Sequence, residues 1–130
     1  MPLTDQARDE IFNKIRSSLE KCTPPMAVSK DKPGAVYELM GNKPVPYGSK
    51  KTIVPGMYFS SVVSRKDMVS FYFFPIYVRD EFADSIPTMI KYLKGKSCFN
   101  FKKPEQVVTK ELDAMLKKGV SAWKKMGYMK

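Results

Sequence analysis

A single short turn, Lys94-Gly95-Lys96-Ser97, sets two ammonium groups, a glycine and a hydroxyl directly before Cys98. Groups of that kind hold a carboxylate or a phosphate, and a nearby ammonium raises the thiolate content of a cysteine. The turn is not a P-loop: the G-x-x-x-x-G-K-[ST] spacing is absent, and the turn follows a predicted helix instead of opening one. A structural reading stands beside the chemical one. Lysines at a helix C-terminus complement its dipole, Gly95 caps the helix, and Cys98 is a small buried hydrophobe.

A second set is spread over two strand-like runs. Tyr58, Ser60, Ser64, Ser70 and Tyr72 are expected on the sheet face that points away from the helices. With Arg65, Lys50 and Lys51 nearby, they would form a polar-aromatic surface for a small anionic ligand. An ordinary half-solvated sheet face explains the same residues without a ligand. Asp80, Glu81 and Asp84 form a third set, with Asp80 and Asp84 four apart on one predicted helical turn. That spacing suits weak divalent-metal binding, and it equally suits acids that meet a helix dipole. The chain has no histidine. Every mechanism with a protein imidazole as base, nucleophile or metal ligand is therefore excluded. No acid–base pair or activated nucleophile can be assembled from what remains, so the sequence predicts neither an enzyme nor a cofactor.

The net charge of +10 is unevenly placed. Residues 1–40 carry six charges of each sign, whereas residues 41–66 carry five basic and no acidic residues. Residues 67–93 carry two basic and four acidic, and residues 94–130 carry ten basic and three acidic. A field of this sign favours anionic partners, although lysines also simply keep a small domain soluble. Two cysteines 76 residues apart, with no C-x-x-C motif, point to a reducing compartment, and no secretory leader is expected. The longest uncharged apolar run, Met68–Val78, has 11 residues and is too short to span a bilayer.

The elements that must position these residues follow from periodicity. Ala7, Ile11, Ile15 and Leu19 recur every four residues behind the N-cap candidate Thr4, predicting a helix over about 4–21. Two short strands, 26–30 and 35–40, flank the turn Asp31–Gly34. The segment 41–56, with three prolines and three glycines, reads as a loop with weak strand character at best. Met57–Val63 and Met68–Val78 are the clearest strands. Phe71-Tyr72-Phe73-Phe74 puts aromatics on both faces, which predicts a central strand covered at least in part on both sides. A helix interrupted near Pro87 is expected over 80–94, a strand over 97–101, and a last helix after Pro104. Hairpin-linked strands with helices on one apolar face make an α+β fold: an antiparallel sheet of about five strands, in the order α-β-β-β-β-α-β-α.

Three stretches stand out together: Phe71–Tyr77 (FYFFPIY), Leu93–Lys103 (LKGKSCFNFKK) and Gly119–Tyr128 (GVSAWKKMGY). With the leading helix they resemble the YdhG-like domain family, a set of small, mostly uncharacterised bacterial proteins. The resemblance is strongest over about residues 57–128. Its most specific piece is the helix-Lys-Gly-Lys-x-x-aromatic-x-aromatic run before the last helix. It implies an α+β domain with no established reaction, within which a frataxin-like fold and an iron-chaperone role have been proposed. Iron bound without imidazole prefers carboxylate oxygens. The first helix, however, balances Asp5, Asp9, Glu10 and Glu20 against Arg8, Lys14, Arg16 and Lys21, which leaves the 80–84 acids.

The expectation is thus one cytoplasmic domain over residues 1–130, a monomer or weak dimer. It would bind a small anionic ligand or an acidic protein through Lys50, Lys51, Tyr58, Arg65, Tyr72, Lys94, Lys96 and Ser97. The first alternative is a frataxin-like iron chaperone using Asp80, Glu81 and Asp84. The second is non-specific nucleic-acid binding, without an RNP, KH or helix-turn-helix motif to support it.

Overall fold

Thr4 provides the first helix with its cap: its Oγ1 accepts a hydrogen bond from the Ala7 N–H at 3.1 Å. Helix α1 then runs Asp5–Glu20 and buries Ile11, Phe12, Ile15 and Leu19, as their spacing requires. The computed structural model describes the chain apart from residues 1–3, 24, 48, 79, 96 and 130. Of residues 77, 78, 80, 81 and 83 it describes the backbone alone.

After α1 come strands β1 (Ala27–Lys32) and β2 (Val36–Met40), then a small hairpin of β3 (Val45–Tyr47) and β4 (Thr52–Val54). Next are β5 (Tyr58–Ser64) and β6 (Val69–Phe73), and later β7 (Leu93–Lys94) and β8 (Cys98–Phe101). Six of them form one antiparallel sheet in the order β1-β2-β5-β6-β8-β7, while β3 and β4 pair separately. The fold is α+β, with α1 and the long C-terminal helix α3 (Thr109–Lys125) packed on the sheet. The expected loop 41–56 is instead partly a hairpin, anchored by the buried Val45.

Pro75 ends β6 and opens the single turn α2 (Pro75–Val78). A proline has no N–H to offer a ladder but suits a first helical turn. The helix expected over 80–94 is replaced by two 3-10 turns, Asp80–Ser85 and Met89–Tyr92, and by β7. Pro87 removes a helix donor between them. Glu111 of α3 takes over: its Oε1 accepts from the N–H groups of Thr88 and Met89, each at 3.0 Å. Partial burial of the Glu111 carboxyl works against ionisation, but these bonds outweigh it and hold its pKa below the usual value. Among the described residues, no helix is long and apolar enough to cross a membrane.

The core lies between the helices and one face of the sheet. Phe59, Phe71, Phe73, Phe99 and Phe101 rise from the strands, and Trp123 descends from α3. Trp123 meets Phe59 edge-on at 5.8 Å, Phe74 at 6.0 Å and Tyr128 at 5.1 Å. One turn before it, Gly119 lets α3 approach the sheet. A Cβ at Gly119 would lie 2.7 Å from Phe73 Cζ and 2.9 Å from Phe59 Cε1. Both rings are fixed in the core, so neither can yield cheaply. Gly119→Ala should therefore destabilise the fold by about 1–3 kcal/mol, the usual cost of overpacking. Urea denaturation would show this as a lower midpoint at unchanged slope, with the neighbouring Lys118→Ala within about 0.5 kcal/mol of the parent.

Candidate functional site

The helices pack on the phenylalanine face of the sheet, and the opposite face carries its polar residues. Residues directly opposite one another in a sheet share a face, so the register defines that opposite face residue by residue. One row crosses all six strands: Lys30, Glu38, Ser61, Tyr72, Cys98 and Lys94. The next row holds Lys32, Val36, Val63, Ser70 and Asn100. Six strands at the usual spacing make the first row about 24 Å wide. Lys30 and Lys94 stand at its two ends.

Arg65 leaves the β5–β6 turn and folds back over the second row. Its Nε donates to Ser70 Oγ at 2.9 Å, and one terminal nitrogen donates to Tyr72 Oη at 2.6 Å. Ser70 passes its own proton on to Asn100 Oδ1 at 2.9 Å, so the chain of donors runs in one direction. Two of the five guanidinium donors are used in holding the group in place. Among the described residues, no carboxylate lies within ion-pair distance of Arg65. A guanidinium fixed in this way, on an exposed residue, presents its remaining N–H groups outward as a fork for an anion.

Tyr58 borders the same face. Its hydroxyl lies 2.6 Å from Ser61 Oγ, and its ring lies 6.0 Å from Phe74. Burial pushes the Tyr58 phenol well above its ordinary value, against the opposing pull of the Ser61 hydrogen bond. It therefore remains a neutral phenol at physiological pH. Cys98 donates to Asn100 Oδ1 at 3.5 Å, an amide oxygen that cannot take the proton away.

Of the expected site residues, Tyr58, Arg65, Tyr72 and Lys94 come together on this face. Lys94 arrives by a different route from the one the sequence suggests. It lies in β7 opposite Cys98, and Gly95, at φ 73°, turns a β-hairpin rather than capping a helix. Ser97 contributes its backbone, the carbonyl accepting from Phe73 N–H at 2.9 Å. Lys50 and Lys51 are exposed on the separate β3–β4 hairpin and are not part of the six-stranded sheet. Lys96 lies outside the described residues, as do the side chains of Asp80 and Glu81. Asp84 is exposed on a 3-10 turn, where positions four apart are not stacked as on an α-helix. Among the described residues, no three acidic or cysteine side chains converge as a metal site would require.

Ser60 and Ser64 are corrected. The β2–β5 register shifts between Leu39 and Met40, so Tyr58 and Ser60 oppose consecutive β2 residues and Phe59 is the extra residue of a bulge. Past the bulge the alternation inverts. Ser60 lies opposite Leu39 and Phe73 on the helix side, fully buried, and its hydroxyl donates to Tyr72 O at 2.6 Å. Ser64 lies opposite Val69 on that same side. Ser61 takes the place expected for Ser60. Sequence reasoning missed it because a bulge has no unambiguous signature, although the adjacent pair Phe59-Ser60 breaks the apolar alternation.

Comparison with known protein families, with curated proteins and with solved structures finds no match.

The raised Tyr58 value has a measurable consequence. A phenol whose folded pKa exceeds its unfolded value near 10 contributes stability that is complete below about pH 10 and is lost as pH climbs above it. Tyr37, also raised by burial, acts with the same sign. Stability followed by urea denaturation should fall with rising pH in the alkaline range, and Tyr58→Phe should make that fall shallower. An unchanged slope would contradict the assignment of Tyr58 as a buried neutral phenol.

Proposed function

We propose that the chain is a non-catalytic binding domain that takes a small anionic ligand, or an acidic segment of a partner, on the sheet face opposite the phenylalanines. The observation that carries this reading is Arg65, held by Ser70 and Tyr72 and unpaired with any carboxylate among the described residues. Guanidinium groups of this kind bind carboxylate or phosphate in a bidentate fork, and pre-orientation lowers the ordering cost of binding. Lys30, Lys32 and Lys94 add positive charge to a face whose two rows contain one acid, Glu38. We further read the chain as a YdhG-like domain. Aromatic and glycine positions of the three stretches that carry this resemblance, Phe71, Phe73, Phe99, Phe101, Gly119 and Trp123, build the sheet–helix core.

Inorganic pyrophosphate is a suitable probe. Its titration should move the backbone amide signals of Ser61, Ser70, Tyr72 and Asn100. Arg65→Gln should weaken binding by roughly tenfold or more, the scale of a charge-assisted hydrogen bond. Lys110→Gln, on α3, should leave binding unchanged. Equal affinity of the Arg65→Gln variant and the parent would dismiss the site.

The Tyr72 ring, set among basic side chains on an open sheet, favours one second reading: a single-stranded nucleic acid stacked on that ring. That reading requires oligonucleotide affinity that drops steeply with salt and drops again in Tyr72→Ala.

A further inference from the structure

On the helix layer, away from the sheet face, the end of α1 and one stripe of α3 enclose a groove of about 470 Å³. That volume is in the range occupied by small organic ligands. Its floor is apolar: Leu116 and Val120 from α3 and Pro25 beyond α1. Cys22 also lines it and remains a thiol, because burial, helped by the charge of Asp113, pushes it up to about 11. The rim is basic. Lys21, Lys117 and Lys124 face one carboxylate, Asp113.

These groups differ in what they still lack. Lys21 Nζ donates to Asp113 Oδ2 at 2.8 Å, so that pair is internally satisfied. The other oxygen, Asp113 Oδ1, is buried and accepts no hydrogen bond. Lys117 and Lys124 form no ion pair among the described residues. They stand seven residues apart on one face of α3, about 10 Å along the axis, with Val120 between them. The groove therefore offers an apolar floor and two unpaired cations, while the unsatisfied Asp113 oxygen is buried out of a ligand's reach.

We propose that this groove binds an amphipathic organic acid, an apolar body carrying a carboxylate. The apolar body lies on Leu116 and Val120. The carboxylate meets Lys117 or Lys124. The Lys21–Asp113 pair keeps the one acid of the lining engaged and away from the incoming carboxylate. This surface is independent of the sheet face, and the two respond to different substitutions.

The test uses decanoate as the probe, with the Val120 and Ser121 backbone amides followed by NMR. Both signals should move saturably. The double charge reversal Lys117→Glu with Lys124→Glu should weaken binding by roughly tenfold or more, as lost charge-assisted contacts do. Ser121→Trp, which fills the groove and keeps its charges, should also abolish binding. Arg65→Gln on the sheet face and Lys110→Glu elsewhere on α3 should change nothing. Silent Val120 and Ser121 amides, or binding untouched by the charge reversal, would overturn the site. Decanol bound as tightly as the acid would overturn the role of the lysines.

Discussion

Phe59 is the point at which two residues of β5 oppose one residue of β2, and both faces of the sheet depend on it. The extra residue turns the Phe59 ring inward, between Phe73 at 5.6 Å and Trp123 at 5.8 Å. It then inverts the alternation, so that Ser61 faces out and Val62 faces in. In a regular strand Ser61 would share a face with Phe59, and a one-residue slip moves every later side chain to the other face. Strand bulges of this kind commonly re-aim side chains where a sheet must do two things at once.

Gly119 completes that arrangement from the opposite layer. Because it carries no side chain, α3 comes within contact of the Phe59 and Phe73 rings, and Trp123 fills the space one turn on. Trp123 also hydrogen-bonds Met57 O at 3.4 Å, tying the helix to the start of β5. Close packing of large rings on one side keeps the sheet rigid, and the polar residues of the other side are thereby held in register. Rigidity matters there because the Arg65 fork is aimed by side-chain hydrogen bonds to two same-face positions of β6, Ser70 and Tyr72. The same helix layer leaves a gap where α1 ends. The gap forms where Pro25 and Cys22 face the Asp113–Lys124 stripe.

Much of the fold was legible in the sequence. The four-residue spacing of Ile11, Ile15 and Leu19 and the aromatic alternation at Phe71/Phe73 and Phe99/Phe101 reflect local periodicity, and the turn expected at Asp31–Gly34 falls at residues 33–35 because Asp31 and Lys32 still pair within β1. Phe71 and Phe73 do face the core while Tyr72 faces away, and the burial of Ser70 beside it shows that the second side of that strand is covered in part as well. The segment 80–94 was less legible. Its apolar residues do turn inward, yet Pro87 and the distant Glu111 carboxylate divide it into 3-10 turns and a strand. Residues that meet only in the folded chain, such as Glu111 and Thr88, leave no local pattern.

The sequence by itself determined the α+β class, the inward aromatics, the exclusion of imidazole chemistry and the basic character of the segments that carry Arg65 and Lys94. These depend on composition and on periods of two and of about four residues, which a chain displays without folding. Only the tertiary structure decided which polar residues share a surface. The bulge at Phe59 and the pairing of β6 with β8 put Ser61, Tyr72 and Cys98 in one row, while β3 and β4 took Lys50 and Lys51 into a separate hairpin. Register is a relation between strands far apart in the chain, decided by how the core packs, and no single strand encodes it alone.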